Sequence, residues 1–143
     1  MAIKISGSLD QALNRLVSSN AQHVKVGVMG NSTYPDGTKV ATVAYKNEYG
    51  FKNIPSRPFF RDTIAEHKKA WGELAVKGAR AGYTIEKILG LVGMQMTQDI
   101  QYTIITFTNP PNAPATIAKK GQNSPLRDSL LMHDSITYEI VDN

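Results

Sequence analysis

The chain has 143 residues, of which 41% are hydrophobic and 20% charged, and its formal net charge is +4. This length and composition predict one domain, residues 1–143, with an apolar core of its own. The absence of cysteine excludes disulfides, thiolate chemistry and cysteine zinc sites. No apolar run is long enough to predict a membrane span.

Before residue 50 the hydrophobic pattern predicts two strands and two helices. Alternation of apolar and polar residues predicts strands at 2–6 and 23–29. Helical spacing predicts helices at 9–18 and from residue 38 or 39 to about 49. The side chains of the second helix that we expect to face inward are Val40, Val43, Ala44 and Tyr49.

The middle of the chain predicts two long helices. Apolar residues recur at a period of 3.6 from Pro58 or Phe59 to about Ala81, and again from Ile85 to Thr103. Their short connection predicts an antiparallel hairpin. The expected inward stripe of the first helix is Phe60, Ile64, His67, Trp71, Leu74, Ala75 and Gly78.

Two glycines interrupt the second long helix. Gly90 and Gly93 each cost about 1 kcal/mol of helix stability relative to alanine. No charged or catalytic side chain lies beside them, so we expect another helix or the sheet to approach closely at this point.

The stretch Asn47–Arg61 is predicted to form a stiff elbow between helices. Gly50 can take a positive φ and end a helix, while Pro55 and Pro58 each fix a φ angle and remove a backbone donor. An elbow restricted in this way sets the angle between the elements that flank it.

The stretch 107–125 holds four of the seven prolines. We expect it to be an extended Pro-rich assembly loop without regular structure. A loop of this length in a compact domain is either disordered or ordered by something it touches, and we expect it to become ordered on assembly. A helical turn at 126–134 and a strand at 135–141 follow. The predicted fold is α+β, with a small antiparallel sheet of three or more strands packed against the long helical hairpin.

No constellation of residues predicts catalysis, cofactor binding or a metal site, so we expect a protein that is not an enzyme. The histidines, His23, His67 and His133, show no metal-ligand spacing, and His133–Ser135 cannot adopt triad geometry. A small enzyme that uses His67 or His133 remains an alternative. Lysines and arginines are scattered among acids, which favours a solvated surface over a nucleic-acid face.

Two stretches resemble sequences of tailed-bacteriophage neck and tail-completion proteins, small virion proteins described as minor tail or head–tail joining components. The first stretch comprises Asn47–Gly50 and Ile54–Arg61. The second comprises Asn109–Gly121, Ser124–Leu130 and Ser135–Tyr138. Both occur in the family's order.

This resemblance implies a structural virion protein at the head–tail junction, made in the host cytoplasm, with no cofactor and no membrane partner. Copies would form a ring of six or twelve, between head-side connector or portal proteins and tail-side tube or terminator proteins, close to genomic DNA. Arg127–Ser129 departs from the acid-Thr-Gly run common in the family, so we assign that turn no role. The alternatives are a tail-terminator protein that caps the tail tube and a DNA-binding module.

We expect the elbow and the Pro-rich loop to provide the contacts with other subunits or partners. If Arg57 makes such contacts, Arg57→Ala impairs assembly more than folding. The predicted interface residues are Glu48, Tyr49, Arg57, Arg61, Asn109, Pro110, Pro111, Asn112, Pro114, Thr116, Lys119 and Lys120.

Overall fold

The computed structural model describes residues 11, 14, 22–123, 125–127 and 130–142. The strand predicted at 2–6 lies outside the described residues, as does the helix predicted at 9–18 except for Gln11 and Asn14. In chain order the elements are β1 (Gln22–Val28), α1 (Val40–Tyr49), α2 (Phe59–Arg80), α3 (Ile85–Thr106), α4 (Pro114–Lys120), α5 (Leu131–Asp134) and β2 (Ile136–Asp142).

The prediction of an antiparallel sheet with three or more strands is wrong. The described part of the chain is mostly helical and contains one sheet, in which β1 and β2 pair antiparallel from Gln22 opposite Asp142 to Val28 opposite Ile136. A two-stranded sheet needs support from a further strand or from a helix. Here α3 packs against both strands and supplies that support.

The two glycines of α3 lie where this helix meets the sheet, which confirms the predicted close approach. A Cβ on Gly93 would overlap the ring of Tyr138 and lie 2.9 Å from Val24 Cγ2. A Cβ on Gly90 would meet only Tyr138 Oη, at 3.8 Å. Gly93 therefore lets the helix backbone approach the strands, and Gly90 is not required for that approach.

The predicted hairpin of long helices is confirmed, since α2 and α3 pack side by side. Thr84 caps α3, with its hydroxyl accepting a hydrogen bond from the Lys87 N–H at 3.2 Å. Gly82 has a φ of 76° in the connection. The outer half of the hairpin is held by a cluster of buried residues, Trp71, Ala79, Ile88 and Val92.

The main core lies where α1, the start of α2 and the end of α3 meet β2. Its buried apolar residues are Val40, Ala44, Phe59, Ile100, Ile104, Leu126, Met132 and Ile136. At the start of α2 the predicted stripe is wrong by one residue, because Phe59 and Thr63 are fully buried while Ile64 is exposed. The elbow sets the rotation of α2 about its axis, and the 3.6-residue period does not reveal that rotation.

The prediction that the Pro-rich loop lacks regular structure is wrong for its centre, where residues 114–120 form α4. Pro114 occupies the first turn, where a missing N–H costs no hydrogen bond. Gly121 ends the helix with a φ of 77°, and its N–H donates to the Ile117 carbonyl at 2.8 Å.

Candidate functional site

The elbow folds back on itself between α1 and α2. Phe51 and Ile54 exchange backbone hydrogen bonds of 3.0 and 2.9 Å, and the Ser56 hydroxyl donates to the Glu48 carbonyl at 2.8 Å. Gly50 has a φ of 78°, and a Cβ there would lie 3.0 Å from Ser56 N. The fold therefore requires glycine at this position both for its conformation and for space.

Glu48 fixes the angle between α1 and α2, because its carboxylate caps the second helix. Its Oε2 accepts from the Phe60 N–H at 2.9 Å, and its Oε1 accepts from the N–H and Nε of Arg61 at 3.2 and 2.8 Å. Pro58 at the N-cap position provides no side-chain acceptor of its own. A negative group is also favoured at this positive end of the helix.

Arg57 joins the elbow to the Pro-rich loop. Its Nε donates to the Pro110 carbonyl at 3.0 Å and its Nη2 to the Pro111 carbonyl at 2.9 Å. Its Nη1 donates to Asn47 Oδ1 at 3.2 Å, and its backbone N–H donates to the Asn47 carbonyl. We refer to this set of contacts as the Arg57 clamp. It connects residues that lie more than 50 positions apart in the sequence.

The clamp places a cation in the interior, since Arg57 is only 5% exposed. Burial lowers the pKa of the Arg57 guanidinium, because desolvation disfavours the charged form. Among the described residues no carboxylate forms an ion pair with it. Carbonyl and amide oxygens satisfy its donors instead, so the group depends on the loop remaining in place.

Asn123 closes the Pro-rich loop from within. Its Oδ1 accepts from the Asn112 N–H and its Nδ2 donates to the Thr108 carbonyl, both at 3.0 Å. The Asn109–Pro110 peptide bond is cis. Leu126 then anchors the end of the loop in the main core. The loop is thus ordered by contacts within the same chain.

A groove of about 330 Å³ lies between α1 and α2, beside the elbow. Its lining is largely apolar and includes Val28, Ala44 and Phe60. Tyr45, Tyr49 and Ile64, which also line it, are 65%, 56% and 44% exposed. Tyr49 was predicted to face inward and does not. Glu48 takes the buried position, because its carboxylate is needed at the start of α2.

The structure sorts the predicted interface residues into two groups by exposure. Glu48, Arg57 and Asn112 are buried, and all three have hydrogen-bond partners in the same chain. The others are partly or fully exposed, and their role at an interface stays a prediction. These are Tyr49, Arg61, Asn109, Pro110, Pro111, Pro114, Thr116, Lys119 and Lys120.

Sequence reasoning missed several residues that build this site. Asn47 and Asn123 orient the clamp and the loop, and Tyr45 lines the groove. One signal was available, since Pro58 cannot cap a helix with its side chain and α2 therefore needed an acceptor from elsewhere. Tyr45 and Tyr49 also share one helix face, at a spacing of four residues.

A separate polar cluster lies on the hairpin around Asp99. Its carboxylate accepts from Trp71 Nε1 at 2.7 Å and from Gln95 Nε2 at 3.0 Å, and His67 Nδ1 lies 3.8 Å away. His133 Nδ1 lies 2.7 Å from Asp134 Oδ1, in a different part of the fold. Within the described residues, no three His, Asp or Glu side chains are grouped to hold a metal ion.

Comparisons with known proteins assign no family. No protein-family model, no curated protein and no solved structure matches this chain. Of the helices that the structure describes, none is long and apolar enough to cross a membrane. The resemblance to phage neck proteins thus depends on the two stretches of sequence described above alone.

Proposed function

We propose that this protein is a structural component of the neck of a tailed bacteriophage. In this role, copies of the chain form a ring that joins the head-side connector to the tail. The observation that supports the proposal most directly is the Arg57 clamp. The two stretches that resemble neck proteins are far apart in the sequence, and the clamp brings them into contact.

A ring subunit has to present its contact surfaces at fixed angles, because small angular errors accumulate around a ring. The Glu48 cap fixes α2 relative to α1, and the Arg57 clamp fixes the loop relative to the elbow. Both contacts use charge-assisted hydrogen bonds of a buried side chain, Glu48 or Arg57, and such bonds are stronger than neutral ones. The elbow and loop therefore form one composite surface suited to assembly.

The composition of this surface also supports a role in protein association. Tyr45, Tyr49, Phe51 and Ile54 are all exposed around the elbow. Aromatic residues and arginine are enriched at protein interfaces relative to the remaining surface. All seven residues of α4 are described and none is buried, so this helix can contact a neighbouring subunit without disturbing the core.

The proposal is tested by the mass of the purified protein, measured by native mass spectrometry alone and with purified connector and tail proteins. We expect a ring of defined copy number or a stable complex with one of the partners. Replacing 114–120 by a Gly-Ser linker of equal length should leave a folded chain that no longer assembles. The control is Tyr102→Ala, which changes an exposed residue of α3.

Three results would decide against the proposal or refine it. A chain that stays monomeric with every partner, and that antibodies do not detect at the neck of virions, would refute it. Binding to duplex DNA that weakens steeply with salt would favour the DNA-binding alternative. Assembly with the tail tube but not with the connector would favour the tail-terminator role.

A further inference from the structure

We propose that the groove between α1 and α2 binds a segment of a partner protein that inserts an aliphatic side chain and places a carboxylate beside Arg61. The inference rests on the proposed function and deepens it, since it gives the chemistry of the partner at this surface. Three observations lead to it: the shape of the groove, the charge around it, and the state of its aromatic rings.

The groove has the dimensions and lining of a small recognition site. Its volume of about 330 Å³ lies near the lower end of the ~300–1,000 Å³ typical of ligand sites. Ala44 is buried and Val28 is half-buried, while Tyr45 and Ile64 are exposed at the rim. A concave apolar surface with an exposed rim fits one inserted aliphatic side chain.

The exposed charged residues between 38 and 61 are all basic, and the exposed Asp36 and Asp62 lie just outside this stretch. Between residues 38 and 61 the single acidic residue is Glu48, which is 4% exposed and has both carboxylate oxygens engaged by donors of α2. The side chain of Arg61 lines the groove and is 54% exposed, with its Nε already paired to Glu48 Oε1 at 2.8 Å and its Nη2 donating to the Glu48 carbonyl. Lys39 and Lys52 on the same stretch are also exposed. Charge complementarity therefore calls for an acidic partner.

The aromatic rings are poorly placed to bind nucleic acid, which is the other acidic class of partner. The guanidinium of Arg61 lies 4.9 Å from the centre of the Tyr49 ring, which also packs against Tyr45 at 4.8 Å. Outside the groove, on the elbow, Lys46 and Lys52 lie 4.9 and 5.4 Å from the centre of the Phe51 ring. Single-stranded nucleic acids need open ring faces for base stacking. A protein segment is the better match.

The test selects binders from a displayed library of random peptides about a dozen residues long, using the full chain as the target. We expect enrichment of peptides that combine Leu, Ile or Val with Asp or Glu. Tyr45→Ala should weaken binding of the enriched peptides by about tenfold or more, as expected when an interface tyrosine is truncated. The matched control is Tyr102→Ala, an equally exposed tyrosine outside the groove.

Two further measurements separate charge from shape. Synthetic peptides with Asp and Glu replaced by Asn and Gln should bind several-fold more weakly and with a smaller salt dependence. Fluorescein-labelled oligothymidylate should bind wild type and Tyr45→Ala equally. No enrichment, enrichment of peptides without acids, or loss of oligothymidylate binding in Tyr45→Ala would each overturn the inference.

These experiments distinguish failure of the groove inference from failure of the proposed function. If the protein assembles with neck partners but the selected peptides bind Tyr45→Ala as tightly as wild type, the groove inference fails and the proposed function stands. If the peptides bind through the groove but the chain never enters virions, the assignment to the neck fails.

Discussion

Replacement of Glu48 tests whether a carboxylate from α1 holds α2 in place. Glu48→Ala removes the acceptor for the N–H groups of Phe60 and Arg61, and it removes the ion pair with the Arg61 side chain. Glu48→Gln keeps the size of the side chain but leaves one oxygen where two had accepted hydrogen bonds. The two variants therefore separate loss of the cap from loss of its charge.

The expected loss follows from the three contacts. Each lost helix cap costs about 1 kcal/mol, so two uncapped N–H groups cost about 2 kcal/mol. The ion pair adds at most about 1 kcal/mol, because the Arg61 side chain is 54% exposed and solvent screens the pair. We expect Glu48→Ala to lower the free energy of unfolding by about 3 kcal/mol, and Glu48→Gln by about 1.5 kcal/mol.

The assay is urea denaturation followed by far-UV circular dichroism, with thermal melts in parallel. For a domain of this size, about 3 kcal/mol corresponds to a fall in Tm of roughly 6–12 °C. Glu66→Ala is the control, since the Glu66 side chain is 75% exposed on the same helix, and it should change stability by less than about 0.5 kcal/mol. A loss below about 1 kcal/mol for Glu48→Ala would refute the capping role.

Two other predictions concern the helix–sheet contact and the clamp. Gly93→Ala should destabilise the chain by about 1–2 kcal/mol, because the new Cβ overlaps the Tyr138 ring. Gly90→Ala should instead stabilise it by up to about 1 kcal/mol through helix propensity, and urea denaturation showing the reverse order would contradict this packing. Arg57→Lys keeps the charge but loses the planar guanidinium, so it should cost about 2 kcal/mol and speed amide hydrogen exchange at residues 107–109 and 112. Unchanged exchange there would show that the clamp does not order the loop.

Local patterns in the sequence predicted α1, α2, α3 and the paired strands closely, and they missed α4. The helix predicted from residue 38 or 39 to 49 is α1, and the hairpin predicted from residue 58 or 59 onward is α2 and α3. These predictions succeed because periodicity, caps and glycines act within a few residues of one another. The strand expected at 23–29 is β1, which pairs with the strand predicted at the end of the chain.

The candidate site was only partly predictable. The elbow and the loop stood out by their prolines, but their contact through Arg57 spans more than 50 residues and leaves no local pattern. The inward position of Glu48 contradicts the ordinary preference of carboxylates for solvent. In the described part of the chain α3 packs against both strands, and the pattern of a single strand does not contain that information.

The sequence by itself determined where the three longest described helices begin and end, where the backbone must turn, and which stretches are stiff. These properties follow from the φ restrictions of proline, the freedom of glycine and the spacing of apolar side chains. Only the tertiary structure decided that the elbow and the Pro-rich loop form one surface. The physical reason is that the buried donors of Arg57 and the first N–H groups of α2 must find acceptors, and the fold provides those acceptors from distant residues.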